Sequence, residues 1–281
     1  MQRKEYSIRN FDAANSYSKI LSIRILPDGL CFVVSDPSNN KLLYMTKIID
    51  STRHGIDIFA DECRSNNILA AEYLKTHVIY ETHQFTLFPT PLLAEVSEKK
   101  IAELNFGNVD GATVLSDSLP TNEISVVYTI PQQHEEIIRR NKPSATTHSQ
   151  MMPLLFNALF NSKKCKGSYL HLNIRTSSVD VIYLEGGKLK LANIYQYQTA
   201  DEFLFFVLGL MDNYHIDQYD VKCVVSGEVD ENSSVVKQLA RYIARIEFSA
   251  TPKGVVEKSA FSSIKNKHQF LTIYQLPICV L

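Results

Sequence analysis

Hydrophobic and polar residues alternate with a period of two over several stretches of the chain, which is the pattern of strands. The clearest case covers residues 169–174 and 179–183, followed by a Gly-Gly turn at 185–188 and a third alternating stretch over 189–195. Two glycines suit such a turn, because glycine adopts positive φ angles without steric cost. The pattern predicts a three-stranded meander.

Helical and strand patterns alternate after this meander. Thr199 and Glu202 have the spacing of a capping box, in which the side chains satisfy free N–H groups at a helix start. A helical stripe of apolar residues follows over 203–211. A buried strand, a helix and a final strand are then predicted over residues 221–225, 234–243 and 246–248. The predicted order of the second half is therefore βββαβαβ.

The first half carries a similar pattern. Residues 21–34 read as a hairpin with its turn at Pro27-Asp28-Gly29. An alignment that matches Gly29 with Ser178 also matches Arg24 with Asn173. Matched spacing of two hairpins indicates an internal duplication, although few residues are identical between the copies.

The rest of the first half continues the order with an inserted segment at about residues 85–120. Helices are predicted over residues 67–74, 95–104 and 133–140. Strands are predicted over residues 77–82, 85–88, 123–130 and 145–148. Residues 259–281 are predicted to be helical until Pro277. We expect one subdomain over residues 1–150 and a second, with this helical tail, over 151–281.

Composition and charge narrow the classes of function. The 281 residues carry a formal net charge of -1, and 45% are hydrophobic, which is enough to fill two compact cores. Nucleic-acid-binding proteins usually carry a surplus of basic residues, which this chain lacks. A membrane-spanning helix needs roughly 20 consecutive apolar residues, and the longest apolar run in the chain is shorter than that. Five scattered cysteines without a C-x-x-C pair indicate a reducing compartment. We expect a cytoplasmic protein without a nucleic-acid partner or a membrane span.

The duplicated βββαβαβ order resembles the actin-like ATPase fold, which is ribonuclease H-like and shared by actin and sugar kinases. A strand at 126–131 that ends in proline, an acidic helix at 132–140 and the Lys-Pro entry at 141–143 are similar to the actin-like assembly proteins of type IV pili. They also resemble the cytoplasmic domain of the type II secretion platform protein. The resemblance implies a bacterial family of unknown function, with two subdomains facing a cleft and a small insertion in the first.

Active members of this superfamily have acidic residues on the first strand of each half and a Gly-Gly pair in the second half. Magnesium needs oxygen ligands, and glycine lets the backbone approach phosphate. The matching positions here are Arg24 and Asn173, and only Gly227, followed by Glu228, remains of the glycine pair. This departure predicts a degenerate nucleotide site and no metal site.

Seven residues remain as candidates for contacts to a nucleotide: Asp28, Gly29, Ser177, Ser178, Asp180, Gly227 and Glu228. Asp28-Gly29 is itself a hairpin-turn signal, and we favour that interpretation over a phosphate contact. We likewise favour a solvated turn at Ser177-Ser178 and a strand-terminating glycine at Gly227. His77 and His83 lie near each other in sequence, but no further ligand at suitable spacing joins them in a metal site.

We therefore expect a non-catalytic binding or scaffold module with a protein partner and no cofactor. An alternative is an ATP-binding protein, ATPase or kinase whose magnesium and phosphate ligands have moved to Asp28, Asp180, Glu228 and the hydroxyls of Ser177 and Ser178. A third possibility, favoured by the resemblance, is a pilus- or secretion-type assembly factor. The sequence leaves the partner's identity and the oligomeric state open.

Overall fold

A computed structural model describes residues 1–8, 11–120, 123–257 and 259–280 as a mixed α/β protein with two compact units. The first unit comprises Met1–Pro153, Lys253–Lys265 and Ile273–Leu281. The second comprises Leu154–Pro252 and Asn266–Thr272. Among the described residues, no helix has the length and hydropathy needed to cross a bilayer.

The division differs from the predicted one at the C-terminus, because the chain after residue 252 returns twice to the first unit. Leu42 N donates to Val256 O at 3.0 Å, and Tyr274 Oη donates to Met45 Sδ at 3.4 Å. The prediction placed all of 151–281 in the second subdomain. Sequence pattern shows that the C-terminal segment is apolar, but not which core it joins.

The main sheet of the first unit has six strands in the order β1-β4-β3-β2-β5-β9. These strands are β1 (Gln2–Ser7), β2 (Ile20–Leu26), β3 (Gly29–Asp36), β4 (Lys41–Ile49), β5 (Lys75–Tyr80) and β9 (Thr146–Ser149). β2, β3 and β4 pair antiparallel, whereas β5 runs parallel to both β2 and β9. β2 is buried along its whole length, as expected for a central strand covered on both faces.

The second unit has a five-stranded sheet in the order β12-β11-β10-β13-β14. Its strands are β10 (Ser168–Ile174), β11 (Ser178–Glu185), β12 (Lys188–Gln196), β13 (Lys222–Gly227) and β14 (Ile246–Phe248). Order and strand directions repeat those of β4-β3-β2-β5-β9 in the first unit. The predicted duplication of a βββαβαβ unit is confirmed at the level of topology, with β1 as an additional edge strand.

Nine helices accompany the sheets in the described part of the chain. They are α1 (Gly55–Ser65), α2 (Asn67–Ala70), α3 (Glu98–Phe106), α4 (Gln132–Asn141), α5 (Met151–Ser162), α6 (Ala200–Asn213), α7 (Ser234–Leu239), α8 (Ser259–Ser262) and α9 (Leu271–Cys279). Three short 3-10 segments cover Ala13–Ser18, Thr90–Leu92 and Lys267–Phe270. Thr199 Oγ1 accepts from Glu202 N at 3.1 Å and so caps α6 as predicted.

The inserted segment is longer than predicted. It contains β6 (Phe85–Pro89), α3, β7 (Ala112–Ser118) and β8 (Ile124–Pro131), and its strands form a separate sheet in the order β6-β8-β7. β8 is the central strand of that sheet, pairing antiparallel with both neighbours. The insertion therefore extends to Pro131 rather than to residue 120.

Other differences arise where tertiary contacts override local pattern. The helix predicted over 67–74 is only the short α2, and the main helix before β5 is α1, which the prediction missed. The polar strand β1 was also missed, because it has no alternation and forms by pairing with β4. α9 continues through Pro277 to Cys279, whereas the prediction ended the helix at the proline.

The sheet of the second unit buries its main core against α6. Phe203, Val207 and Leu210 of this helix belong to one buried cluster with Leu172 and Val181 of the sheet. Side chains at alternate positions of the same strands point to the opposite face. Polar residues of β10 and β11 therefore lie on the face away from α6.

Two glycines give opposite expectations for substitution by alanine. A Cβ on Gly55 would lie 2.0 Å from Leu26 O and 2.3 Å from Gly29 O, both backbone atoms. A Cβ on Gly209, inside α6, meets nothing within 4 Å. We expect Gly55→Ala to destabilise the protein by about 1–3 kcal/mol or more, and Gly209→Ala to stabilise it by up to about 1 kcal/mol.

Urea unfolding followed by circular dichroism measures both changes in the free energy of unfolding. Equal effects of the two substitutions would contradict the close backbone contact at Gly55.

Candidate functional site

A buried ion pair lies at the carboxyl ends of β2 and β5 in the first unit. Arg24 Nη2 is 2.5 Å from Glu81 Oε1, and Arg24 Nε donates to the same oxygen at 2.8 Å. Both side chains are 2% exposed. A permanently charged guanidinium thus occupies the strand position where the resemblance places a metal-binding carboxylate.

The turn between β2 and β3 holds two of the predicted site residues, Asp28 and Gly29. Asp28 O accepts from Asp50 N at 2.9 Å, which ties this turn to the end of β4. Gly29 is required by packing, because a Cβ there would lie 2.5 Å from Ile48 O. The half-buried Asp28 side chain is left as the candidate ligand of this turn.

The second unit has a buried carboxylate in the corresponding region. Asp180 Oδ2 accepts from Asn173 Nδ2 at 2.6 Å, and its Oδ1 accepts from Arg175 Nη2 at 2.9 Å. The Asp180 side chain has no exposed surface. Both oxygens of this predicted site residue are therefore already bound by groups of the protein.

The hydrogen bonds continue to β13. Ser226 Oγ donates to Asn173 Oδ1 at 2.9 Å and lies 2.8 Å from His171 Nε2. Because the hydroxyl hydrogen is used by Asn173, His171 Nε2 must carry the proton that Ser226 accepts. We call Arg175, Asp180, Asn173, Ser226 and His171 the polar chain. Sequence analysis identified only its Asp180 as a candidate, although polar residues at alternate positions of a buried strand were a usable signal.

The turn after β10 carries Ser177 and Ser178. Ser177 is exposed and Ser178 is buried, and Arg175 N donates to Ser178 O at 2.8 Å to close the turn. Tyr197 Oη donates to Arg175 O at 2.6 Å. Hydrogen bonds within the protein therefore hold this turn.

Gly227 ends β13 beside Ile174. It has a φ of 93°, and a Cβ there would lie 2.2 Å from Ile174 O. Glu228 N donates to the same carbonyl at 2.7 Å. Glycine is needed here for close packing of backbone on backbone, whatever else the site does.

The structure divides the seven predicted residues between the two units. Asp28 and Gly29 belong to the first, and the other five belong to the second. Within the second unit, β11, β10 and β13 bring Asp180 and Gly227 to the same end of the sheet, since Asn173 pairs with both Asp180 and Ser226 and the next residue, Ile174, pairs with Gly227.

A second buried cluster in the first unit was missed by sequence analysis. His77 Nδ1 lies 3.1 Å from His148 Nε2, and His148 Nδ1 lies 2.7 Å from Asp117 Oδ1. Asp117 Oδ2 accepts from Ser149 N at 2.8 Å. His77 thus pairs with a histidine distant in sequence rather than with His83. Among the described residues, no group of three or more His, Cys, Asp or Glu side chains is placed to hold a metal ion.

Comparison with known proteins places these features in a family. Residues 8–246 match the family described as "Protein of unknown function (DUF3822)". No curated protein sequence matches the chain at a significant level.

Several solved structures are similar. A Bacteroides thetaiotaomicron protein with actin-like ATPase fold and unknown function has 19% identity and a TM-score of 0.77, over 85% of this chain and 93% of that one. The PilM-PilN type IV pilus biogenesis complex has 11% identity and a TM-score of 0.63, over 92% and 97%. Ethanolamine utilization protein EutJ from Carboxydothermus hydrogenoformans has 7% identity and a TM-score of 0.51, over 92% and 89%. The chain has the actin-like ATPase fold.

The Arg24–Glu81 pair predicts a strong asymmetry between single and double substitutions. Arg24→Met removes the guanidinium that faces the buried Glu81 carboxylate and should cost about 3–5 kcal/mol of stability. Arg24→Met combined with Glu81→Met should cost much less, because no charge remains buried. Denaturant unfolding compares them, with Arg53→Met as control, since its pair with Asp61 is exposed and worth at most about 1 kcal/mol. Equal losses in the single and double variants would refute the coupling.

Two buried histidines predict how stability depends on pH. Burial lowers the pKa of His77 and that of His171 from 6.5 to about 4. Between pH 6.5 and 4 these two side chains bind protons in the unfolded chain but stay neutral in the folded protein. The free energy of unfolding should therefore decrease as the pH falls through this window. The loss should be at most about 3 kcal/mol for each histidine.

Chemical unfolding at a series of pH values measures this slope. His77→Gln and His171→Asn should each reduce it, whereas His215→Asn, at an exposed position, should leave it unchanged. A slope that is the same in all three variants would show that other groups cause it.

Proposed function

The chain belongs to the DUF3822 family and has the actin-like ATPase fold, and from this premise we propose that it is a non-catalytic protein-binding or scaffold module with a degenerate nucleotide site. The proposal rests chiefly on the buried Arg24–Glu81 pair. Magnesium is held by oxygen ligands. The Arg24 guanidinium lies at the strand position where the resemblance places a magnesium-binding carboxylate in the first half, and its positive charge repels a divalent cation.

The second half supports the same proposal. A carboxylate is present at Asp180, but Arg175 and Asn173 occupy its two oxygens. Binding a cation there would require breaking a buried ion pair, which is costly when one charge is left uncompensated. In both halves, a buried charged group of the candidate site is already paired within the protein: Arg24 with Glu81 in the first and Asp180 with Arg175 in the second.

A partner-binding role is supported by what the chain retains. The complete order of strands is present in both halves although the expected ligands are not, which fits a fold kept for its surfaces. A similar fold occurs in the PilM-PilN complex, which contains two proteins. A pilus- or secretion-type assembly factor is a narrower form of this proposal and rests on that likeness.

Titration calorimetry with ATP and magnesium tests the proposal. We expect no measurable binding heat, no release of phosphate and no rise in melting temperature when ATP and magnesium are added together. Binding at millimolar or lower concentration, coupled to phosphate release, would defeat it.

If phosphate release is observed, a substitution at Asp28 tests the competing ATPase or kinase interpretation. Asp28 is half-buried at the surface of its turn, so Asp28→Asn should fold normally. Activity that disappears in Asp28→Asn would favour relocated ligands.

A further inference from the structure

The helix α1 in the first unit begins at a histidine rather than at one of the usual capping residues. His54 is its N-cap, and the Nδ1 atom of His54 accepts a hydrogen bond from Ile56 N at 3.3 Å. The common N-caps Ser, Thr, Asp and Asn accept through an oxygen atom. Histidine changes its charge between about pH 5 and 8, so this cap depends on pH.

Protonation of His54 removes the acceptor of this cap. A neutral imidazole has one donor and one acceptor nitrogen, whereas both nitrogens of the protonated ring are donors. In the protonated state, His54 Nδ1 and Ile56 N would therefore direct two hydrogens at each other. The added positive charge also lies at the N-terminal end of α1, where the helix dipole makes a cation unfavourable.

A second histidine lies beside His54. The helices α1 and α4 pack together, and the ring centroid of His134, in the first turn of α4, is 4.9 Å from that of His54. Tyr80 Oη lies 2.6 Å from His134 Nδ1. This bond survives protonation of His134, because the charged ring can donate to the tyrosine oxygen. Two protonated rings at this spacing would repel each other, which adds to the loss of the cap.

The surroundings of the two rings oppose a second positive charge. Burial lowers the pKa of His134, the charge of His54 lowers it further, and the Asp57 carboxylate raises it by less. Burial raises the pKa of Tyr80 to about 12, so this hydroxyl stays neutral. The other charged groups near the start of α1 are the exposed pair of Arg53 and Asp61 and, in the turn between β2 and β3, Asp28.

The first turn of α1 lies directly on the turn between β2 and β3. Gly55 N donates to Pro27 O at 3.1 Å. The backbone of Gly55 approaches Leu26 and Gly29 so closely that a Cβ would lie 2.0 Å from the carbonyl oxygen of the first and 2.3 Å from that of the second. Because backbone packs on backbone here, fraying of the first turn of α1 would also release its contacts with this turn.

We propose that His54 and His134 form a pH-sensitive latch between α1 and α4. When both rings are neutral, His54 caps α1 and packs against His134, and the start of α1 stays on the turn between β2 and β3. When the rings are protonated, the cap is lost, the two charges repel, and the first turn of α1 frays. The latch acts on the turn that carries Asp28, and the inference does not depend on whether the nucleotide site is degenerate.

Hydrogen–deuterium exchange at about pH 7.5 and about pH 5.5, read by mass spectrometry on a peptide covering residues 50–60, tests the latch. After correction for the chemical exchange rate, the wild-type peptide should exchange about fivefold faster at the lower pH, as expected when a helix loses its N-cap. The matched control is His54→Asn, because asparagine caps helices and does not titrate. Its corrected exchange should be the same at both pH values.

A second variant tests the contribution of His134. His134→Gln keeps an acceptor for the Tyr80 hydroxyl but removes the second charge, so it should reduce the pH effect without abolishing it. Circular dichroism at both pH values shows that each variant is folded. A wild-type peptide with equal corrected exchange at the two pH values would overturn the proposal, as would an equal pH effect in the wild type and His54→Asn. An undiminished effect in His134→Gln would overturn the role of the second ring.

Discussion

Charged groups buried in the central strands must be neutralised inside the protein, and this constraint shapes both halves of the molecule. Arg24 meets Glu81 at the ends of β2 and β5, and Arg175 meets Asp180 at the equivalent end of the second sheet. An unpaired charge at such depth would cost several kcal/mol. The two ion pairs therefore hold the strand ends and turns where related folds place phosphate and metal ligands.

Hydrophobic burial and strand pairing stabilise the two sheets, and neither needs a nucleotide. The glycines of the candidate site remain necessary for another reason, since Gly29 and Gly227 approach neighbouring carbonyl oxygens too closely for a Cβ. The packing of the fold and the candidate ligands therefore depend on different residues.

Strand β12 lies at the end of the sheet of the second unit. It pairs with β11, and the described residues place no strand on its other side. Leu191 and Tyr195 of β12 lie on a face separate from the polar chain, because they pack with α6 whereas Asn173 and Asp180 point the other way. The apolar core against α6 and the polar chain thus lie on opposite faces of one sheet.

Local periodicity was enough to predict the duplicated βββαβαβ order and the cap at Thr199, because these depend on residues near each other in the chain. The partners of Arg24, Asn173 and His77 could not be predicted, since each lies on an element brought near only by strand pairing. The return of the C-terminal segment to the first unit and the extension of the insertion to Pro131 have the same cause. The spacing of hydrophobic residues along the chain determines which helices and strands form. Contacts between residues distant in sequence decide which of these elements pack against each other.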